Sequence, residues 1–191
     1  MTLVALLRHG PTEWNAARRL QGRHDLPLSS AGRAAVASRR LPVTYRTWPV
    51  HVSPLKRARE TAALLGLTDA VVAPGLTEMH WGDYEGRTVS ELRETIAGFV
   101  EAEGRGLDFH PPGGESPREV RARVGHWLEN DVTGEGVIGV THKGVIRAAI
   151  SLAFDWDMTG KAPAKLDWSR LHVFQFNGGI LRPYALNTAL E

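Results

Sequence analysis

The sequence of 191 residues contains no cysteine. This absence excludes disulfide bonds, thiolate catalysis and cysteine-rich zinc sites, and it suits a reducing compartment. Long apolar runs are missing as well. None approaches the ~20 residues that span a bilayer, and Val4 to Leu7 is too short for the apolar part of a secretory signal. We therefore expect a cytoplasmic protein without a membrane partner.

An excess of charge of one sign is also missing, because 23 basic residues face 21 acidic ones and the formal net charge is only +2. The cations are mostly arginines scattered among acids, so the sequence does not indicate nucleic-acid binding. Arginine is nevertheless suited to holding phosphate or carboxylate through two hydrogen bonds. The hydrophobic content of 42% is typical of a globular protein, and we expect a single domain over residues 1–191.

Apolar segments and turn signals alternate along the chain as in an α/β protein. They predict strands over 2–7, 49–53, 71–73 and 136–141, and a closing hairpin over 171–176 and 180–186. The predicted helices cover 29–41, 89–102, 117–131 and 143–154, and a further helix opens at Ser53-Pro54.

Helix starts carry the clearest local signals. Ser53 is expected to be an N-cap, with Pro54 as the first helical residue. Two later helices open with capping boxes, formed by Thr88 with Glu91 and by Ser116 with Glu119. Residues 103–115 are rich in Gly and Pro, and we predict a mobile loop there that acts as a lid.

Polar side chains suited to phosphate chemistry follow three of the predicted strands. Arg8 and His9 follow the first strand, Arg57 lies in the helix after the second, and His142 follows the strand over 136–141. The carboxyl ends of parallel strands meet at one sheet edge, where helix N-termini favour an anion. Taken singly, each signal also fits an ordinary explanation, such as a solvated turn or an exposed arginine on an amphipathic helix.

Glu78 lies on a loop beside aromatic residues, where desolvation would raise the pKa of its carboxyl group. A solvated loop acid is the alternative. Together, the two arginines, two histidines and this acid suit phosphoryl transfer through a covalent phosphohistidine on His9. Arg8, Arg57 and a protonated His142 would hold the phosphoryl oxygens, and Glu78 would move the proton. The arginines supply the positive charge, so we expect neither a metal ion nor a cofactor.

The same residues resemble those of the histidine phosphatase superfamily, also called the phosphoglycerate mutase-like family. The resemblance extends over most of the chain. Its motifs are Arg8-His9-Gly10 through Asn15, Gln21-Gly22 through Ser29 with Gly32, Ser53-Pro54-Leu55 with Arg57-Ala58 and Thr61-Ala62, Glu78 with Gly82 and Glu85-Gly86, Gly113 through Ser116, and His142 with Gly144 and Arg147. The ordered set is much more specific than the Arg-His-Gly tripeptide alone.

The resemblance implies a three-layer α/β/α sandwich with a mainly parallel sheet. It also implies His9 as the phosphorylated nucleophile, Glu78 as the proton donor, and a phosphate pocket made of Arg8, Asn15, Arg57 and His142. Candidate substrate-lining residues are Thr12, Gln21, Gly22, Trp81 and Lys143. Pro11 and Lys143 depart from the family pattern, because members often carry an acidic or small polar residue and a glycine there. We expect the added cation to favour more highly charged substrates.

The approach to the pocket is predicted to be lined by Trp14, His80, Trp81 and Phe109, unless these aromatic residues belong to the core. The segment from Arg87 to Pro112 is short, and about five residues follow the last predicted strand, whereas mutases of this family shield the phosphohistidine with longer segments. Water is then the expected acceptor, so we favour a phosphatase acting on a small phosphorylated metabolite. An α-ribazole-phosphate phosphatase and a broad phosphomonoesterase both fit, and the protein would be a monomer or a homodimer.

Two other functions remain open. The first is a phosphoglycerate-mutase-type phosphotransferase, which would return the phosphoryl group to a second hydroxyl. The second, from another class, is a non-catalytic module on the same fold that binds a phosphorylated ligand or a protein. Loss of the nucleophile or of a pocket arginine would be the expected mark of such a module, and neither His9 nor Arg57 is lost.

Overall fold

A computed structural model describes residues 1–191. Its core is one six-stranded sheet with the strand order β3-β2-β4-β1-β5-β6. The strands are β1 (Thr2–Arg8), β2 (Val50–Val52), β3 (Val71–Val72), β4 (Gly136–Thr141), β5 (Leu171–Asn177) and β6 (Ile180–Thr188). The pairs β1–β4, β2–β4 and β2–β3 are parallel, whereas β5 and β6 extend the sheet as an antiparallel hairpin. The prediction of a mainly parallel sheet is confirmed.

Helices cover both faces of the sheet. They are α1 (Glu13–Ala16), α2 (Ser30–Ala37), α3 (Lys56–Leu64), α4 (Val89–Thr95), α5 (Phe99–Glu103), α6 (Pro117–Asn130) and α7 (Lys143–Phe154). Successive residues of β1 point to opposite faces: Val4 and Leu6 join a core with α6 and α7, while Ala5 and Leu7 join one with α2 and α3. The result is the expected three-layer α/β/α sandwich.

The carboxyl edge of the sheet gathers three polar residues from separate parts of the chain. His9 directly follows β1, Ser53 follows β2, and His142 follows β4. The three strands are adjacent and parallel, so these residues meet at one edge. The sheet topology therefore brings together the polar residues that the sequence pattern predicted to lie at one edge of the sheet.

Two predictions about helices are wrong. The helix expected from Ser53-Pro54 begins at Lys56 with Leu55 in the N-cap position, because the Ser53 hydroxyl contacts His142 Nε2 at 2.7 Å and reaches only the N–H of Leu55, at 3.4 Å, instead of a helical one. The helix expected over 89–102 is interrupted, since Ile96 is extended and Gly98 adopts a left-handed conformation with φ of 75°.

The segment 103–115, for which a mobile lid loop is predicted, packs against the sandwich. It contains a 3-10 turn at Gly106–Asp108, and Leu107 and Phe109 are buried in the core that α6 and α7 share. The Leu107 N–H also donates to the Asp157 carbonyl at 2.8 Å. This packing anchors the segment to the sandwich. No helix of the structure has both the length and the apolar character that a bilayer crossing requires.

Candidate active site

A cavity of about 520 Å³ opens at the carboxyl edge of the sheet, and we refer to it as the main cavity. Among the residues singled out in the sequence, its walls contain Arg8, His9, Asn15, Gln21, Gly22, Arg57, Glu78, Trp81 and Lys143. Thr12 and His142 do not line it. A neighbouring cavity of about 440 Å³ shares Arg8, His9 and Asn15 but lacks Glu78. The main cavity is therefore the one whose walls contain both the candidate nucleophile, His9, and the candidate proton donor, Glu78.

His9 is buried with its ring held in a defined orientation. Its Nδ1 lies 2.7 Å from the carbonyl oxygen of Gly10, so the proton is assigned to Nδ1, which donates to that carbonyl. Nε2 is then the nitrogen with a free lone pair. Burial, with the guanidinium groups of Arg8 and Arg57, holds the pKa of His9 well below its usual range. The imidazole is thus neutral and nucleophilic at pH 7.

Arg57 is fully buried in the first turn of α3 and is tied to the backbone of a loop. Its Nη1 donates to the His24 carbonyl at 2.8 Å, and its Nη2 donates to the Gly22 carbonyl at 2.7 Å. Its Nε has no partner. The side chain of Arg8, at the end of β1, forms no hydrogen bond with the protein, and its Nε is likewise buried without a partner. Both arginines therefore retain donors for an anion.

Glu85 fastens the loop that holds Arg57. Its Oε1 accepts from the backbone N–H groups of Arg23 at 2.8 Å and Trp81 at 3.2 Å, and its Oε2 accepts from His24 at 3.1 Å. Gly22 has a φ of 52°, and a Cβ there would overlap the Glu85 carboxylate. One carboxylate thus joins the segment carrying the Arg57 acceptors to the loop that follows Glu78.

Glu78 is buried on the wall of the main cavity. Its Oε1 accepts from the backbone N–H groups of Met79 at 2.8 Å and Gly144 at 3.1 Å, whereas Oε2 has only a longer 3.4 Å contact with Gly144. Burial raises the pKa of the Glu78 carboxyl above its ordinary value, against those hydrogen bonds and the charge of Arg57. The carboxyl is therefore biased towards the protonated form, with Oε2 as the atom best placed to carry the proton.

His142 lies beside His9, with ring centroids 5.1 Å apart, and is completely buried. Its Nε2 lies 2.7 Å from Ser53 Oγ, while its Nδ1 has no partner. Burial, with the nearby His9 and Arg57, holds the pKa of His142 well below its usual range. Burial without a counter-charge therefore favours a neutral ring in the free protein. The predicted protonated His142 concerns the state with a phosphoryl group bound, and it stays a prediction.

Asn15 and Thr12 form the start of α1. The Asn15 Oδ1 accepts from the Thr12 backbone N–H at 3.0 Å, and the Thr12 hydroxyl accepts from the Asn15 N–H at 3.2 Å. This capping box fixes the Asn15 amide and leaves its Nδ2 free on the cavity wall. Thr12 itself caps the helix and does not face the cavity.

Three of the four expected aromatic residues line the main cavity, namely Trp14, Trp81 and Phe109. Trp14 stacks on His24 at 4.8 Å, and Trp81 contacts Phe109 at 5.7 Å between ring centroids. Phe109 also belongs to the buried core. His80 does not line the cavity, because its Nε2 is directed to Glu85 at 3.7 Å.

Ser53, Glu85 and the cavity-lining Arg147 lie in the motifs that carry the resemblance, but sequence reasoning assigned none of them a role at the site. Ser53 contacts His142, and Glu85 holds backbone groups from two loops. Only the position of Ser53 at a strand end could have indicated the first contact. No group of three or more His, Asp or Glu side chains is arranged to hold a metal ion.

The sandwich, with histidines and arginines gathered at one sheet edge beside a buried acid, defines a phosphate-handling α/β enzyme. The chain belongs to the histidine phosphatase superfamily, branch 1, whose family model matches residues 4–188. It is thus a histidine phosphatase-type enzyme, as the sequence resemblance predicted.

Curated relatives include phosphatases and mutase-like proteins. The chain is 35% identical to a metal-independent phosphoserine phosphatase of Arabidopsis thaliana, over 78% of this chain and 67% of that protein. It is 33% identical to a glucosyl-3-phosphoglycerate phosphatase of Mycobacterium tuberculosis, over 78% of this chain and 74% of that protein. A phosphoglycerate mutase-like protein 4 of Arabidopsis thaliana is 34% identical over 76% of this chain and 68% of that protein.

Solved structures share the whole fold. Bacillus stearothermophilus YhfR superposes with a TM-score of 0.81 at 26% identity, covering 99% of this chain and 98% of that chain. A mycobacterial glucosyl-3-phosphoglycerate phosphatase solved with VO3 gives a TM-score of 0.78 at 27% identity, covering 99% and 100%. These similarities confirm the phosphoglycerate mutase-like architecture.

Proposed function

We propose that the protein hydrolyses small phosphomonoesters through a phosphohistidine on His9. The observation that carries this proposal is the 2.7 Å contact between His9 Nδ1 and the Gly10 carbonyl oxygen, which assigns the proton to Nδ1 and leaves Nε2 free at the cavity. Nε2 attacks phosphorus, a P–N bond forms, and the bond from phosphorus to the leaving oxygen breaks. Arg8 and Arg57 hold the charge of the non-bridging oxygens, with the Asn15 amide as a further donor.

Glu78 supplies the proton that the leaving oxygen needs, from Oε2. In the second step it accepts a proton from water, which attacks phosphorus and breaks the P–N bond. Inorganic phosphate leaves, and His9 and protonated Glu78 are restored. His142 lies beside His9, and the arriving phosphate charge would raise the pKa of its ring. We assign it to supporting the phosphoryl group through its unpartnered Nδ1.

Relatives support a small phosphorylated substrate, because those with phosphatase names are described as acting on phosphoserine and glucosyl-3-phosphoglycerate. Mutase-like relatives favour phosphotransferase activity as a second candidate. Product analysis separates the two: a mutase converts 3-phosphoglycerate to an isomer, whereas a phosphatase releases inorganic phosphate. We also propose a cytoplasmic location, action as a monomer or homodimer, and no nucleic-acid or membrane partner.

The direct test replaces the nucleophile. His9→Ala should abolish hydrolysis of p-nitrophenyl phosphate, and acid-quenched native protein should carry a phosphoryl group on His9 that the variant lacks. The matched control is His126→Ala, at an exposed position on α6, which should retain native activity. Activity near the native level in His9→Ala would contradict the assignment. EDTA should leave the native rate unchanged, since the proposed chemistry uses no metal ion.

A further inference from the structure

Two cations outside the proposed chemistry reach the main cavity from α7. Lys143 and Arg147 are one helical turn apart and therefore share a face of the helix. Both line the cavity that holds His9 and Glu78. No carboxylate lies within 4.0 Å of either charged group, so neither forms an ion pair with the protein.

Each of these cations rests on an indole ring. The Nζ of Lys143 lies 5.2 Å from the ring centroid of Trp168, and the guanidinium carbon of Arg147 lies 5.1 Å from that of Trp156. A cation–π contact stabilises the position of a cation without using its N–H groups. The donors of both side chains therefore stay available to a ligand.

The charges around the main cavity do not balance. Its walls hold six cations and two acids, namely Arg8, Arg18, Arg19, Arg57, Lys143 and Arg147 against Glu78 and Glu103. The dianion of a phosphomonoester carries about −1.5 to −2, which Arg8 and Arg57 can balance. Glu78 acts in its protonated form, and Glu103 is paired with Arg93 at 2.7 Å. The cations of α7 are left without a counter-charge.

Burial, with the positive charges of Arg8 and Arg147, lowers the pKa of Lys143 below its ordinary value. Burial is the largest cause of this lowered pKa, and the neighbouring cations add to it. The two cations lie on the side of the cavity where the leaving group of a substrate would be. Lys143 is adjacent to Gly144, whose N–H holds the Glu78 carboxyl, and Glu78 serves the leaving oxygen.

We propose that Lys143 and Arg147 form a second anion subsite, which binds a carboxylate or a second phosphate on the leaving group of the substrate. This inference rests on the proposed function, and it deepens it by naming the preferred substrates as phosphomonoesters with a second acidic group. Arg147 offers the two-pronged geometry that suits either anion, and Lys143 adds a point charge.

A matched set of probes tests the subsite. 3-Phosphoglycerate and glycerol 3-phosphate differ only in a carboxylate that replaces a hydroxymethyl group, and glycerol 1,3-bisphosphate carries a second phosphate on that hydroxymethyl group instead. Calorimetric affinities are measured on the full-length His9→Ala protein, so that turnover does not interfere. We expect at least one of the two probes that carry a second acidic group to bind about tenfold or more tightly than glycerol 3-phosphate, which carries none. Whichever is favoured identifies the second group.

Adding Lys143→Met and Arg147→Met should reduce that preference to about threefold or less. Adding Lys161→Met, at an exposed lysine outside the cavity, should preserve it. The single Lys143→Met change should give an intermediate preference, and it serves as the test if the combined variant fails to fold. Equal affinities for all three probes, or a preference that survives the α7 changes, would overturn the subsite. A native protein that does not hydrolyse p-nitrophenyl phosphate would instead contradict the proposed function.

Discussion

The backbone N–H of Gly144 donates to Oε1 of Glu78 at 3.1 Å, across the main cavity wall. This hydrogen bond ties the proton-donor loop to the first turn of α7, directly after His142 and Lys143. A Cβ at residue 144 would overlap Oε1 of Glu78. The closeness of the two residues therefore depends on a hydrogen atom at that position.

Gly144→Ala should displace the Glu78 carboxyl while leaving the backbone of α7 unstrained. We expect kcat for an alkyl phosphate to fall by about 10²-fold, towards the loss caused by removing the acid itself. The matched control is Gly125→Ala in α6, where a Cβ would meet nothing within 4 Å. That change should keep native kinetics and add up to about 1 kcal/mol of stability. Native kinetics in Gly144→Ala would mean that the carboxyl position does not matter.

Glu78→Gln removes the transferable proton but keeps the shape of the side chain. Hydrolysis of an alkyl phosphate such as glycerol 3-phosphate should slow by about 10²–10⁴-fold. Hydrolysis of p-nitrophenyl phosphate should slow less, because its leaving group needs less protonation. Parallel steady-state assays on the two esters check the difference. Equal losses on both would count against Glu78 as the proton donor.

The pH dependence of activity follows from the opposite pKa shifts of His9 and Glu78. The reactive form has neutral His9, whose pKa is lowered, and protonated Glu78, whose pKa is raised. We expect kcat/KM to fall as the pH rises through the pKa of Glu78, and His9 to limit the rate only well below pH 6.5. The alkaline fall should disappear in Glu78→Gln. The native protein and Glu78→Gln are compared with the same ester, because ionisation of the substrate then affects both pH profiles equally.

Stability should also depend on the buried histidines. His9 and His142 have lowered pKa values in the folded protein, so the unfolded chain binds more protons once the pH falls below ~6.5. Stability is therefore expected to decrease from pH 7 towards pH 5. The raised pKa of Glu78 acts in the opposite direction and offsets part of the loss. Thermal unfolding of native protein and His9→Gln should show a shallower decrease in the variant, and identical slopes would contradict this account.

Glu85 is expected to act by positioning Arg57. Glu85→Ala frees the backbone groups of Arg23, His24 and Trp81, so the carbonyls that hold Arg57 should move. We expect the inhibition constant of inorganic phosphate to rise about tenfold, with a smaller effect on kcat. Glu85→Gln should restore part of the affinity, since its amide oxygen still accepts hydrogen bonds.

Glu129→Ala, at an exposed position on α6, is the control for Glu85→Ala and should behave like the native protein. A merely structural role of Glu85 would lower the melting temperature without changing phosphate inhibition. Unchanged inhibition in a folded Glu85→Ala protein would therefore contradict the positioning role.

The sequence revealed those features that depend on local patterns. The capping boxes of Thr88 and Ser116 mark the first residues of α4 and α6, because a side chain and a backbone N–H three residues apart form them. Ser53 was misread as a cap because the same hydroxyl serves a histidine 89 positions later in the chain. Glu85 was not singled out as a clamp because its partners are backbone N–H groups, which any residue supplies.

The fastening of Arg57 to the carbonyls of Gly22 and His24 has a thermodynamic consequence. An arginine side chain loses about 2 kcal/mol of rotamer entropy when it is immobilised. Here that loss occurs once, as the chain folds, instead of at every encounter with an ester. The guanidinium is already in place when phosphorus arrives, so association should involve little reorganisation of this wall of the protein.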